Sequence, residues 1–205
     1  MGQNLVPPSS FSWPYCTAGI PDSAFERIPG IPLSPKELRV LILSQLQLQH
    51  HSCLWDIGAG TGTITVEAGL LAAQGQVIAV ERDGDVVDLI GRNCEKFGAK
   101  NVKVVQGTAP GCLEALDPQP DRICLEGGEP LQQILVNSWH YLKPGGRLVG
   151  ISSSLEGLYA LSSGLAEVRA RHVEVVAISH SAEFGKRMNL VRQLGEAMDE
   201  AVDQQ

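Results

Sequence analysis

The sequence predicts an α/β domain of the Rossmann-like, doubly wound type, with a mostly parallel seven-stranded sheet and an antiparallel terminal hairpin. From residue 52 onward, short apolar runs alternate with longer segments of helical periodicity, which is the pattern of successive βα units. A glycine-rich turn follows the first apolar run, where open α/β sheets bind ligands. The last two strand-like runs have no helical segment between them, so we expect them to pair antiparallel.

A helix precedes the sheet. Ser34 is a favourable N-cap, Pro35 suits the first helical position, and Glu37 completes a capping box, so a helix is predicted over residues 34–48. Its apolar residues fall on nearly all sides, which indicates packing on more than one face. After it, strands are predicted over residues 53–57, 76–81, 102–106, 122–125, 147–152, 173–178 and 188–194, and helices over 61–73, 83–97, 131–142 and 155–168.

The chain has 205 residues, enough for one domain with a full core. Residues 1–18 contain several prolines and are expected to form an irregular arm. We expect residues 19–50 to form a lid segment followed by the N-terminal helix, residues 51–195 to form the α/β domain, and residues 196–205 to form an acidic tail.

Composition and charge exclude several classes of protein. No apolar run approaches the roughly 18–20 residues of a membrane span, and the N-terminus lacks the basic and apolar regions of a secretory signal, so we expect a cytoplasmic protein without membrane contact. The formal net charge of −7 disfavours nucleic acid as a partner. The five cysteines include no C-x-x-C pair, so no metal site is predicted.

The glycine-rich turn carries the strongest functional signal. Its glycines have the spacing G-x-G-x-G, whereas nicotinamide sites have G-x-G-x-x-G. Such a turn lets a ligand approach the backbone closely. S-adenosylmethionine has no phosphate, but it has an ammonium group that an acid before the glycines can meet, directly or through water, and a carboxylate that backbone N–H groups can meet. The residues of this predicted cofactor turn are Asp56, Gly58, Ala59, Gly60, Thr61 and Gly62.

Two later positions complete the predicted cofactor site. Glu81 ends the second strand, 23 residues after Gly58, where a carboxylate can accept hydrogen bonds from both ribose hydroxyls. The loop after the third strand contains Thr108 and Ala109, which are placed to line the adenine. Together these features predict a class I S-adenosylmethionine-dependent methyltransferase domain.

Two regions narrow this prediction through a family resemblance. One comprises residues 19–25 (Gly-Ile-Pro-Asp-Ser-Ala-Phe) and 33–39 (Leu-Ser-Pro-Lys-Glu-Leu-Arg), and the other is the core over 54–149. Together they resemble the decarboxylating carbon-15 methyltransferases of cobalamin (corrin ring) biosynthesis, the precorrin-6B type. The sequence departs from that family after the fourth strand, where residues 125–130 carry two acids and a proline, and in the last strand, which lacks an Asn-Pro pair. We expect these departures to alter the substrate pocket and leave the cofactor site intact.

The resemblance implies the reaction and part of the site. The cofactor would be S-adenosylmethionine, held by Ser34, the glycine turn, Glu81 and Ala109. The substrate would be precorrin-6B or its cobalt form, methylated at carbon 15 with decarboxylation of the acetate chain on carbon 12. The resemblance also implies a homotetramer and a separate carbon-5 methyltransferase subunit as a partner. No general acid or base can be named from the sequence.

A substrate with many carboxylates needs local positive charge in an acidic chain. Candidate substrate-binding residues are Arg27, Lys36 and Arg39 in the N-terminal segment, and Lys186 and Arg187 before the last strand. For Arg39 a pairing with a nearby acid is the alternative, just as helix capping is the alternative role for Ser34. Rival functions are an RNA base methyltransferase, an isoaspartyl or other protein methyltransferase, and a binding module without activity. Net acidity and the lack of an N-P-P-[YF]-type motif after strand four disfavour the first.

Overall fold

The computed structural model describes residue 13, residues 15–181 and residues 186–194, with side chains described up to residue 177. The acidic tail predicted over 196–205 and most of the predicted arm over 1–18 therefore lie outside the described residues. None of the helices in the described part of the chain is long and apolar enough to cross a membrane.

Five parallel strands form the centre of the sheet, which confirms the prediction of a Rossmann-like α/β fold. The chain moves outward from the first strand to the third and then returns to the other side of the first, so the carboxyl ends of β1 and β4 flank a crevice. The two last strands pair antiparallel at one edge. The strands are β1 (Cys53–Ile57), β2 (Gln76–Glu81), β3 (Val102–Gln106), β4 (Arg122–Glu126), β5 (Arg147–Ser152), β6 (Glu174–Ser181) and β7 (Lys186–Leu194), in the order β3-β2-β1-β4-β5-β7-β6.

Helices cover both faces of the sheet. This arrangement explains why the sequence of β1 is apolar at every position except one acid. Leu54 packs in a cluster with residues of the first two helices, whereas Trp55 and Ile57 pack in a second cluster with residues of the last two. A strand buried on both faces needs apolar side chains at consecutive positions. The helices are α1 (Lys36–Leu46), α2 (Thr63–Leu71), α3 (Gly84–Phe97), α4 (Leu131–Tyr141) and α5 (Leu155–Glu167), with short 3₁₀ turns at Asp22–Ala24 and Leu113–Ala115.

The start of α1 differs from the predicted capping box. Pro35 occupies the N-cap position, and no side chain caps the helix. The Ser34 hydroxyl instead donates to the carboxylate of Glu126 at the end of β4. A hydroxyl that bonds to a partly buried carboxylate makes a charge-assisted hydrogen bond, which is stronger than the neutral bond to a helix N–H. The capping role predicted for Ser34 was therefore wrong.

Arg39 anchors the segment that precedes α1. Its guanidinium is fully buried, pairs with Glu67 at 2.8 Å and with Asp22 at 2.6 Å, and donates to the carbonyl of Ile20. It also lies 5.0 Å from the ring centre of Phe25, within the range of a cation–π contact. The prediction that Arg39 binds substrate was thus wrong, because its guanidinium is fully buried and its donors already serve protein partners.

A second group of contacts ties the same segment to the glycine-rich turn. The Asn93 amide accepts from the backbone N–H of Glu26 and donates to the carbonyl of Thr61. The Thr61 hydroxyl donates to the carbonyl of Pro32 at 2.8 Å. The described segment is therefore packed against the turn, and opening it would break these hydrogen bonds. Its role as a lid stays a prediction.

Candidate active site

A cavity of about 600 Å³ opens at the carboxyl ends of the parallel strands. It lies at the crevice created by the reversal of strand order between β1 and β4, the usual ligand position in such sheets. Its walls come from the anchored N-terminal segment, the glycine turn, and the loops after β2, β3 and β4. Most of the predicted cofactor residues line it, namely Ser34, Gly58, Ala59, Gly60, Thr61, Glu81, Thr108 and Ala109.

The glycine turn is shaped by contacts that exclude side chains. Gly58 has a φ of +79°, and a Cβ there would lie 2.2 Å from the backbone oxygen of Glu126. Gly62 also has a positive φ, and it directly precedes α2. The turn is fixed on its other side because the N–H groups of Gly58 and Ala59 donate to the Val80 carbonyl at 3.0 and 3.1 Å. The floor of the cavity is therefore bare backbone, which a ligand can approach closely.

Glu81 reaches the same turn from the end of β2. One of its carboxylate oxygens accepts from the N–H of Gly60 at 3.1 Å, and the other accepts from the N–H of Arg82 at 2.8 Å. These bonds hold a half-buried carboxylate at the cavity wall with lone pairs still available. Such a group can accept hydrogen bonds from the two adjacent hydroxyls of a ribose.

Asp56 does not lie at the cavity wall, although the sequence predicted it as a cofactor-binding residue. It is fully buried, the Thr65 hydroxyl donates to Oδ2, and Asp56 is absent from the cavity wall. Burial raises the pKa of this carboxyl to about 6. Its Oδ1 is the one buried side-chain polar atom without a hydrogen-bond partner in the described part of the chain. At this buried position the Asp56 carboxylate does not contact a ligand ammonium directly. Its negative charge still acts on the cavity through the residues that form the wall.

Sequence reasoning missed Glu126 as a site residue. It ends β4, lines the cavity, and accepts from the Ser34 hydroxyl at 2.9 and 2.8 Å through its two oxygens. Burial raises the pKa of its carboxyl to about 7, and the negative charge of Asp56 acts in the same direction. An acid directly after the apolar run of β4 was the available signal, since the carboxyl ends of neighbouring parallel strands share one edge.

The predicted substrate-binding cations are spread around the site. Arg27 is exposed, and Lys36 is exposed beside Ser34 with its ammonium 3.4 Å from Glu37. Lys186 and Arg187 begin β7, but their side chains lie outside the described residues. Arg82, a cation that the sequence analysis did not select, is exposed and lines the cavity.

No group of three or more His, Cys, Asp or Glu side chains is arranged to hold a metal ion within the residues that the structure describes. Three cysteines are buried, and burial raises the pKa of the Cys53 thiol to about 11 and that of Cys94 to about 12. Such thiols stay protonated near neutral pH, so they are poor nucleophiles and poor metal ligands.

The sheet order, the glycine turn and Glu81 define the chain as a methyltransferase of the Rossmann-like, S-adenosylmethionine-dependent class. Comparison with known proteins narrows this class. Residues 28–195 match the family model described as "Precorrin methyltransferase domain". The chain belongs to this family.

Curated relatives match this chain over most of their length. A probable cobalt-precorrin-6B C(15)-methyltransferase (decarboxylating) of Sulfurisphaera tokodaii is 46% identical over 132 residues, covering 64% of this chain and 69% of the relative. The protein of the same description from Saccharolobus solfataricus is 36% identical over 169 residues, 81% of this chain and 85% of the relative. The cobalt-precorrin-6B C(15)-methyltransferase (decarboxylating) of Salmonella typhimurium is 32% identical over 162 residues, 78% of this chain and 83% of the relative.

Solved structures agree with the sequence comparison. The precorrin-6y C5,15-methyltransferase of Geobacter metallireducens superposes with a TM-score of 0.80 at 30% identity, covering 88% of this chain and 98% of that one. The C-terminal domain of precorrin-6Y C5,15-methyltransferase from Rhodobacter capsulatus gives a TM-score of 0.72 at 29% identity, with 89% and 99% of the two chains covered.

Proposed function

We propose that this chain transfers the methyl group of S-adenosylmethionine to carbon 15 of cobalt-precorrin-6B, or of precorrin-6B, with decarboxylation of the acetate chain on carbon 12. It is a decarboxylating C-methyltransferase of cobalamin biosynthesis. The observation that carries the proposal is the match over residues 28–195, which spans the whole cavity wall from Ile31 to Ile134. The three curated relatives named above are described by this activity.

The residues of the cavity fit the proposed cofactor. Bare backbone at Gly58 and Gly60 accommodates a close ligand, and Glu81 offers oxygen acceptors for a ribose. Thr108 and Ala109 lie beyond β3, next to Glu81, where an adenine would extend. The acidic wall suits a ligand that carries an ammonium and a sulfonium, because opposite charges attract most strongly in a partly desolvated site.

The protein's part in the reaction is positioning and the exclusion of water. The cofactor supplies a methyl group on a sulfonium, which is electrophilic without further activation. Glu81, Ser34 and the glycine turn would hold the cofactor in a fixed place, and the packed wall around Pro32 would limit access of solvent. Holding two reactants in line can supply up to roughly 7–11 kcal/mol of a barrier. We assign no general acid or base.

The polycarboxylate substrate would meet the exposed cations at the mouth. Glu81, Asp83, Glu126 and Glu129 all line the cavity, so its inner wall repels carboxylates. Local attraction must come from exposed cations. Arg82 itself lines the cavity, and Lys36 is the described cation of the N-terminal segment nearest in sequence to a wall residue, Ser34. Arg27, Lys186 and Arg187 remain further candidates.

The experiment that tests this function offers methyl-labelled S-adenosylmethionine to the protein with cobalt-precorrin-6B, precorrin-6B or RNA. We expect label in the tetrapyrrole, together with the loss of one carbon dioxide measured by mass spectrometry. Methylated RNA with an unmodified tetrapyrrole would favour the rival RNA methyltransferase. A tetrapyrrole that gains methyl without losing carbon dioxide would contradict the decarboxylating part alone.

Assembly is part of the proposal. A homotetramer follows from the family resemblance, and a separate carbon-5 methyltransferase partner follows because one similar structure is a domain of a C5,15-methyltransferase. The predicted second apolar face of α1 is largely satisfied inside the protomer, although Val40 is 41% exposed. Leu155 and Tyr159, one helical turn apart on α5, are more exposed at 74% each. Light scattering of the wild type and of Tyr159→Glu tests whether this face joins subunits.

A further inference from the structure

Two carboxylates flank the glycine turn at the same level of the sheet. Ile57 at the end of β1 pairs with Val80 of β2 on one side and with Leu125 of β4 on the other. Glu81 and Glu126 are the next residues of those two strands. Since neighbouring strands lie about 4.8 Å apart, the two backbones stand about 10 Å apart with the turn between them.

The Glu126 carboxylate is under-used by the protein. Within the described part of the chain, its hydrogen-bond donor is the Ser34 hydroxyl, and no ion pair reaches it. An ionised carboxylate can accept about four hydrogen bonds, and one that is partly withdrawn from water, as Glu126 is, is costly to leave unpaired. Asp56, which shifts the charge balance further toward negative, also leaves its Oδ1 without a partner. Among the residues that the structure describes, no cation pairs with Glu126 or with Asp56.

We propose that Glu126, held in place by Ser34, binds the α-ammonium group of the cofactor's methionine part, an inference that rests on the proposed use of S-adenosylmethionine. The strand order β3-β2-β1-β4 repeats the order of groups along that molecule. Thr108, Glu81 and Gly58 all line the cavity, and in this order they would meet the adenine, the ribose and the chain that carries the sulfur. Glu126 then stands where the amino-acid end would lie.

The negative charge of Glu126 favours the ammonium group over the carboxylates that could also lie beside it. The cofactor carboxylate and the substrate carboxylates would be repelled by Glu126 and by the charge of Asp56 behind it. The ammonium would satisfy the open acceptor sites of Glu126, and the Ser34 hydroxyl keeps both carboxylate oxygens at the wall. Glu126 thus performs the task that the sequence analysis gave to Asp56.

This assignment gives cofactor binding a dependence on pH. The titratable groups that interact with Glu126 are Asp56 on β1 and the Cys124 thiol on β4, whose own pKa is raised far above its usual value by burial. With a carboxyl pKa of about 7 in the ligand-free protein, Glu126 is largely protonated at pH 6 and largely ionised at pH 8. A ligand with an ammonium group should therefore bind more tightly at pH 8.

The test is titration calorimetry of the full chain with two ligands. S-adenosylhomocysteine carries the ammonium, whereas 5′-methylthioadenosine keeps the adenosine and lacks the amino-acid end. We expect Glu126→Gln to weaken S-adenosylhomocysteine at least about tenfold at pH 8, the effect of losing one charge-assisted hydrogen bond, and to change 5′-methylthioadenosine less than twofold. Glu81→Gln, the matched control, should weaken both ligands.

Two results would overturn the assignment. One is an affinity of Glu126→Gln for S-adenosylhomocysteine within threefold of the wild type, and the other is an equal loss for both ligands. Independently, the wild-type affinity for S-adenosylhomocysteine should rise from pH 6 to pH 8, and the same rise in Glu126→Gln would also contradict it. These titrations contain no tetrapyrrole, so their failure is distinguishable from failure of the proposed methyl transfer.

Discussion

The Arg39 guanidinium and the Glu67 carboxylate form an ion pair at 2.8 Å in which both side chains are essentially without solvent exposure. Glu67 also accepts from the backbone N–H of Gly19 at 2.6 Å, and Arg39 donates to the carbonyl of Ser34. The pair thus joins α1 and α2 to the segment that carries one wall of the cavity. The placement of this cavity wall therefore depends on a buried ion pair.

Replacing Arg39 by Met should destabilise the protein by about 3–5 kcal/mol, because Glu67 would remain buried without its partner. Chemical denaturation measures this change in the free energy of unfolding. Arg92→Met, which breaks the exposed pair with Glu26, is the control and should cost about 1 kcal/mol or less. Adding Glu67→Leu to Arg39→Met should recover part of the loss. Equal effects of Arg39→Met and Arg92→Met would contradict a structural role for the buried pair.

Glu81→Ala should weaken S-adenosylhomocysteine at least about tenfold, because each charge-assisted hydrogen bond to a ribose hydroxyl is worth roughly 1.5–3 kcal/mol before water compensates. The bond to the Gly60 N–H is lost too, which loosens the turn. Calorimetry checks the affinity, and thermal unfolding should change little since Glu81 lies at a strand end. Glu95→Ala removes an exposed acid outside the cavity wall and serves as the control. A change of less than about threefold for Glu81→Ala would exclude Glu81 as the ribose ligand.

Most of the residues that line this cavity beside the glycine turn could be predicted from the sequence because their signals are local. The turn from Gly58 to Gly62 and Glu81 each follow directly from a strand that ends at the same edge of the sheet. The partners of Ser34 and Arg39 could not be read in this way, although pairing with an acid was the alternative stated for Arg39. Ser34 bonds to a residue 92 positions away and Arg39 to one 28 positions away, so a local capping pattern competed with tertiary contacts that no spacing rule reveals.

The ligand-free protein should lose stability as the pH rises through the range set by Glu126. Its carboxyl pKa is about 7 in the folded protein against 4.5 as the ordinary value, because burial disfavours the ionised form. The folded state therefore binds more protons between these two pH values, and the free energy of unfolding falls as pH rises across them. Asp56 adds a fall of the same sign between 3.8 and about 6.

Glu126→Gln should remove the first of these contributions. Urea denaturation at pH 5 and pH 8 should show a smaller drop for this variant than for the wild type, and Glu95→Gln should behave as the wild type does. A wild type whose stability is equal at both pH values, or a variant with an undiminished drop, would show that Glu126 is not a buried acid with a raised pKa.

Lys36→Glu should raise the KM for the tetrapyrrole by about fivefold. This factor corresponds to the loss of roughly 1 kcal/mol of attraction, the energy of a charge pair at a solvated surface. Lys36 is exposed beside the cavity, and its contact with Glu37 at 3.4 Å joins two half-exposed side chains, so breaking it should hardly change folding. Steady-state kinetics measure KM, and calorimetry with S-adenosylhomocysteine should change less than twofold because the cofactor end lies deeper.

Lys100→Glu makes the same change of charge at the opposite edge of the sheet, since Lys100 is exposed just before the amino end of β3. If KM depends on attraction at the cavity rim, this control should leave KM nearly unchanged. Raising the salt concentration should then bring the wild type and Lys36→Glu closer together, because screening weakens exposed charge pairs. Equal increases in KM for both variants would instead assign the effect to the net charge of the chain, and the search for the carboxylate-binding residues would move to Arg27, Arg82 and the cations at the start of β7.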